Sequence, residues 1–152
     1  KEQKINSITF KLLFMKFIAF TLILFFTLSL SSGFAQGKEH KVVFQFTLAD
    51  SLQQKAFSNQ LKNLRKHWPD AQIEVVAYNQ GIDFLMTKKT RHHDIIADMK
   101  SKGVRFVVCQ NTMNQRNIKA EELIPEAEIV PAGIAEIVEK QEQGWSYIKG
   151  GF

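Results

Sequence analysis

From residue 41 onward, short runs of β-branched and aromatic residues alternate with stretches whose apolar positions fall three or four apart. Val42 to Leu48 reads as a first strand. Asp50 with Gln53 then offers a capping box, and Phe57, Leu61, Leu64 and Trp68 keep helical spacing until Pro69 stops the helix. Ile73 to Tyr78 is the second strand. Asn79-Gln80-Gly81 turns the chain into a short apolar helix bearing Ile82, Leu85 and Met86, and a further helix over Asp94 to Lys102 ends at Gly103. Val104 to Cys109 is apolar enough to be buried on both faces, which places it as a third and central strand. A polar stretch from Gln110 to Asn117 leads to a helical turn near residues 120–124. Ala127 to Val130 is the fourth strand, Ile134, Ile137 and Val138 mark a last helix ending near Gly144, and Trp145 to Lys149 is the fifth strand.

Strands alternating with helical segments predict an α/β fold, a parallel sheet covered by helices on both faces. At 152 residues, 45% of them apolar, the chain holds one such domain and one core. Neither an internal repeat nor a low-complexity linker divides it.

The first 35 residues follow another pattern. Met15-Lys16 precedes the apolar run Phe17 to Leu30, then the small and polar Ser31-Ser32-Gly33-Phe34-Ala35. This reads as a signal peptide over residues 1–35 with an N-terminal extension ahead of Met15, cut between Ala35 and Gln36, and a domain over 36–152. The expected location is periplasmic or secreted, with no membrane contact after cleavage. The competing reading is a membrane anchor, since Leu12 to Phe14 lengthen the apolar run, though Lys16 interrupts it.

Charge changes the picture once the leader is set aside. Residues 1–35 hold four Lys and one Glu, so the formal charge falls from +5 to +2, with 16 Lys and Arg against 14 Asp and Glu. The electrostatic argument for a nucleic-acid partner goes with the leader. A single cysteine, Cys109, rules out an internal disulfide.

In an open parallel sheet, ligands and chemistry gather where strands end and helices begin, because unpaired N–H groups there attract negative charge. The expected rim comprises residues 47–51, 79–81, 109–113 and 131–133. Cys109 is its one sulfur nucleophile, and a helical turn starting just after it would lower its pKa. The competing reading is a space-filling buried thiol.

The segment Gly103 to Cys109 leading into Asn111-Thr112, Val75-Val76-Ala77 with Gly81-Ile82 beyond, Val130-Pro131-Ala132-Gly133-Ile134, and Gln143 to Lys149 together resemble the DsrE/DsrF-like family of sulfur-relay proteins. The resemblance covers most of residues 41–149 and implies a three-layer α/β/α domain with a five-stranded parallel sheet. It further implies homo-oligomers, trimers or hexamers, and a cysteine that carries sulfur as a persulfide, exchanged with a sulfur donor or acceptor protein. Cys109 matches the family's strand-end cysteine, and no cofactor is implied. Export is a departure, since relay proteins of this kind typically act in the cytoplasm.

On this reading Cys109 is catalytic. Asn111 and the backbone N–H groups after Cys109 stabilise the thiolate, Asn79 and Gly81 shape the adjoining wall, and Thr112 joins Asn79, Gly81 and Asn111 as a ligand-binding residue. Asn111 and Asn79 also fit plain turn or capping roles. The alternative function is a non-catalytic oligomeric binding module with a structural thiol. His92-His93 is not expected to hold a metal, because adjacent helical residues point apart and nothing nearby completes a ligand set. Lys88-Lys89-Thr90-Arg91-His92 reads as a solvated surface. Trp145 and Tyr147 are expected on one side of a strand, in the core or a subunit contact. No phosphate-binding glycine loop and no serine-hydrolase elbow occurs.

Overall fold

The computed structural model describes residues 15–18 and 39–151; residues 15–18 form a helical turn, and the rest of the leader expected over residues 1–35 lies outside the described residues. Two compact units separate at residues 38 and 39, and everything below concerns the second. No helix among the described residues is long and apolar enough to cross a membrane.

The strands are β1 (Lys41–Phe46), β2 (Gln72–Ala77), β3 (Val104–Cys109), β4 (Ala127–Val130) and β5 (Ser146–Lys149). The helices are α1 (Ser51–His67), α2 (His93–Ser101), α3 (Gln110–Arg116) and α4 (Gly133–Glu142), with 3-10 segments at Asn79–Leu85 and Ala120–Glu122. All five strands run parallel in the order β4-β3-β2-β1-β5. The centre of the sheet is therefore β2. β3, expected there from its apolar run, sits one place out and is still paired on both edges, which is why its residues are so apolar.

Alternation along the strands divides the core in two. Val42, Phe44 and Phe46 of β1, Ile73 and Val75 of β2, and Phe106 and Val108 of β3 face α1, the first 3-10 segment and α2. There Phe46 stacks on Phe57 at 4.4 Å, and Phe84 packs edge-on to Phe57 at 5.6 Å. Burying each such ring contributes about 1.5–3 kcal/mol. The opposite face holds Val43, Val76, Val107 and Val130, and Ile137 of α4 covers them. The domain is thus a three-layer α/β/α sandwich, thick on one side and closed by a single ten-residue helix on the other.

Local signals explain the element ends. The Asp50 carboxylate accepts from the Leu52 and Gln53 amides and starts α1, while Arg65, Lys66 and His67 sit in its last turn, where positive charge suits the helix dipole. Gly103 closes α2 with φ +83°. The polar stretch after β3 is helical from its first residue. It is α3, which turns only Thr112 and Met113 inward and ends at Asn117 in a left-handed conformation.

Candidate functional site

Parallel strands end together, so register decides which residues share the carboxyl-end rim. Cys109 lies opposite Val130, and Pro131-Ala132 then bring the chain directly into α4. Alternation along β3 sends Cys109 to the α4 face with Arg105 and Val107, and α3 begins at the next residue. The sulfur is therefore set between the starts of two helices.

Gly133 makes that approach close. A β-carbon on Gly133 would lie 3.1 Å from Cys109 Cβ, 3.2 Å from Val76 Cγ1 and 3.4 Å from Tyr78 Cδ1. A side chain there would sit tighter than ordinary contact against Cys109 and Val76, which would have to give by a few tenths of an ångström.

Cys109 is 6% exposed. Burial opposes ionisation of its thiol, but hydrogen bonding from the Gly133 amide, the Thr112 amide and hydroxyl, and the Asn111 amide outweighs it and holds the pKa below the ordinary thiol value. The neutral side chain makes no conventional capping bond to α3, so these donors act on the anion.

The predicted site residues separate into two groups. Thr112, buried at 7%, links Asn79 to the thiol: its hydroxyl oxygen accepts from the Asn79 amide at 3.3 Å. Asn111 is exposed and contributes its backbone amide. Asn79 takes a left-handed φ of 52°, and Arg116 Nη1 donates to its carbonyl at 2.7 Å while Nη2 donates to Asp83 at 2.6 Å. Gly81 packs elsewhere: its ideal β-carbon would sit 2.1 Å from the Phe46 carbonyl oxygen, so this glycine lets the 3-10 segment lie against the end of β1.

Sequence reasoning passed over Tyr78 and Gln45. Gln45 Nε2 donates to the Tyr78 hydroxyl and Tyr147 OH donates to Gln45 Oε1, a polar row across β2, β1 and β5 on the face shared with Cys109. Period-two alternation from Val43 and Val76 would have placed Gln45 and Tyr78 on that face. His92 and His93 part as expected: His92 lies beside Phe84, and His93 Nε2 is 3.0 Å from Glu126. Among the described residues no group of three or more His, Cys, Asp or Glu is placed to hold a metal ion.

A strand-end cysteine at two helix starts, on a five-stranded parallel sheet of this order, can be compared with known proteins. The sequence matches the DsrE/DsrF-like family over residues 26–149. The chain belongs to the DsrE/DsrF-like family. Members of that family generally serve sulfur relay. Among solved structures, a protein of unknown function from Methanobacterium thermoautotrophicum is similar, with a TM-score of 0.69 and 28% sequence identity, covering 73% of this chain and 99% of that one. A comparison with curated proteins finds no match. Cys109 is the one cysteine of the sequence, and it is buried.

Proposed function

We propose that this protein handles sulfur through Cys109, as a persulfide carrier or sulfurtransferase-like protein. The observation that carries the reading is geometric: Cys109 ends β3 directly before α3, with the first residue of α4, Gly133, packed against it, so the sulfur sits at two helix starts, whose amides favour the thiolate against the cost of burial. The thiolate attacks the outer sulfur of a donor persulfide, forming a Cys109 persulfide and releasing the donor as its thiolate. An acceptor thiolate then attacks the outer sulfur, takes it as a new persulfide and leaves Cys109 as thiolate. No net oxidation occurs in either step, and no metal is required.

Purified protein given a sulfane-sulfur donor is expected to gain one sulfur atom, about 32 Da, on Cys109 by mass spectrometry, and Cys109→Ser to gain nothing. The second reading, a binding module with a structural thiol, draws on the 6% exposure of Cys109. A thiol silent in the folded protein and reactive only after denaturation would establish it.

The proposal includes export, with residues 1–35 removed, and the mass spectrum of protein recovered from the producing cell reports that amino terminus. It also includes self-association into trimers or hexamers. In support, Ile134 and Val138 stand exposed on the outer side of α4, and Tyr147 and Ile148 on the edge strand β5. Light scattering that finds only monomer across concentrations would remove self-association from the reading.

A further inference from the structure

Thr112 and Arg116 stand four residues apart on α3, so both reach from one face of that helix toward the first 3-10 segment. Arg116 spans two points of the segment: Nη1 donates to the Asn79 carbonyl at 2.7 Å and Nη2 to Asp83 Oδ1 at 2.6 Å. Asp83 is held in turn by Lys89 Nζ, 3.1 Å from each of its carboxylate oxygens. The guanidinium is thus fixed as a planar fork with both arms committed, a geometry that a single point charge does not reproduce.

Asn79 is the piece this fork holds. Its φ of 52° is a left-handed conformation, which carries a steric cost for a residue with a side chain and lasts where the surroundings fix it. In that conformation the Asn79 amide donates to Thr112 Oγ1 at 3.3 Å, and the Thr112 hydroxyl donates to the Cys109 sulfur. A hydroxyl that accepts one hydrogen bond donates the next more strongly, so each link polarises the one after it. A continuous chain therefore runs from Arg116 through the Asn79 backbone and the Thr112 hydroxyl to the thiol.

We propose that Arg116 is a positioning residue for the Cys109 thiolate: by clasping the Asn79 carbonyl it sets the Asn79 amide on Thr112 Oγ1 and turns the Thr112 hydroxyl proton onto the sulfur. That role rests on the reading of Cys109 as the sulfur carrier and adds the residue that governs its ionisation from a distance. An arginine in the last turn of α3 also suits the helix dipole, but a cation that serves the dipole alone has no need of two directed bonds to a neighbouring segment.

The test is the pH dependence of Cys109 alkylation by iodoacetamide in the parent, Arg116→Gln, Arg116→Lys, Thr112→Val and the double variant Arg116→Gln/Thr112→Val. Arg116 is part-exposed at the end of α3, where folding is not at stake, and a melting curve of each variant checks this. Arg116→Gln is expected to raise the midpoint by a few tenths of a pH unit, a fraction of the roughly one to two that a hydrogen bond to a charged group is worth. Arg116→Lys, which keeps the charge and loses the fork, is expected to raise it as well. The rate on the high-pH plateau should stay within about twofold of the parent, since the thiolate itself is as accessible as before. In the Thr112→Val background Arg116→Gln is expected to add nothing, because the hydroxyl it works through is gone. A midpoint that Arg116→Gln leaves in place, parent behaviour in Arg116→Lys, or a shift as large without the Thr112 hydroxyl as with it would each overturn the proposal. So would a plateau that rises severalfold at an unmoved midpoint, the mark of a residue that only keeps the rim closed. These readouts need no persulfide, so a Cys109 that titrates as expected yet takes no sulfur from a sulfane donor would defeat the sulfur reading and leave the positioning role of Arg116 standing.

Discussion

At Cys109 two opposing effects act on one atom. Burial favours the neutral thiol, and amides and a hydroxyl aimed at the sulfur favour the anion and prevail. Two consequences follow for titration. The rate of alkylation of Cys109 is expected to rise with pH to a midpoint below that of the same cysteine in the unfolded chain. Thr112→Val, which keeps shape and removes the hydroxyl, should move that midpoint upward. Stability is linked in the same direction. Because the folded pKa lies below the unfolded one, the contribution is complete above the unfolded value and is lost as pH falls through the folded value. The melting temperature of the parent relative to Cys109→Ala is thus expected to climb as pH rises through this window. A gap that stays flat or narrows with rising pH would show that the donors do not act on the thiolate.

Among the elements, two small features set positions out of proportion to their size. Gly81→Ala places a methyl group 2.1 Å from the Phe46 carbonyl and must displace either the 3-10 segment or β1, at a cost of about 3 kcal/mol in urea denaturation. Asp50→Ala removes the cap of α1 and is expected to cost about 1 kcal/mol, because one helix end loses two accepted amides while its packing stays. If the two cost the same, close backbone approach is not what Gly81 provides. The elements themselves were largely legible in the chain. Strands β1 to β5 announce themselves by β-branched runs, and α1 by Phe57, Leu61 and Leu64 at helical spacing. α3 was not, since a seven-residue helix that buries only Thr112 and Met113 leaves no periodic stripe to read. Cys109 stood out because it is the only cysteine and ends a strand. The nearness of Gly133, 24 positions later, depends on β3 and β4 pairing in one register, which no local signal encodes. Glu74 escaped notice for the same reason: inside an apolar strand it looks like a solvent-facing residue until α4 brings Lys140 over it.

The whole domain is unequal across its sheet, and that inequality bears on how a reagent reaches a 6% exposed thiol. The face toward α1 and α2 is held by a large aromatic core, whereas the α4 face depends on four valines and Ile137, flanked by the Glu74, Arg105 and Lys140 ion pairs. Local opening follows the smaller buried area, so α4 is expected to separate from the sheet before α1 does. Hydrogen exchange should then find the α4 amides less protected than those of the middle of α1. Such an opening withdraws the Gly133 amide and uncovers Cys109 in one motion, making access to the sulfur a property of the thin face. Ile137→Ala removes the one helix side chain fully committed to that face, and a loss of about 2 kcal/mol of packing corresponds to about thirtyfold more of the open form. If opening precedes reaction, the alkylation rate of Cys109 in Ile137→Ala should rise by a comparable factor while α1 protection changes little. A rate that does not respond, with α4 protection demonstrably lowered, would mean that reagents reach the sulfur from the rim through the closed structure.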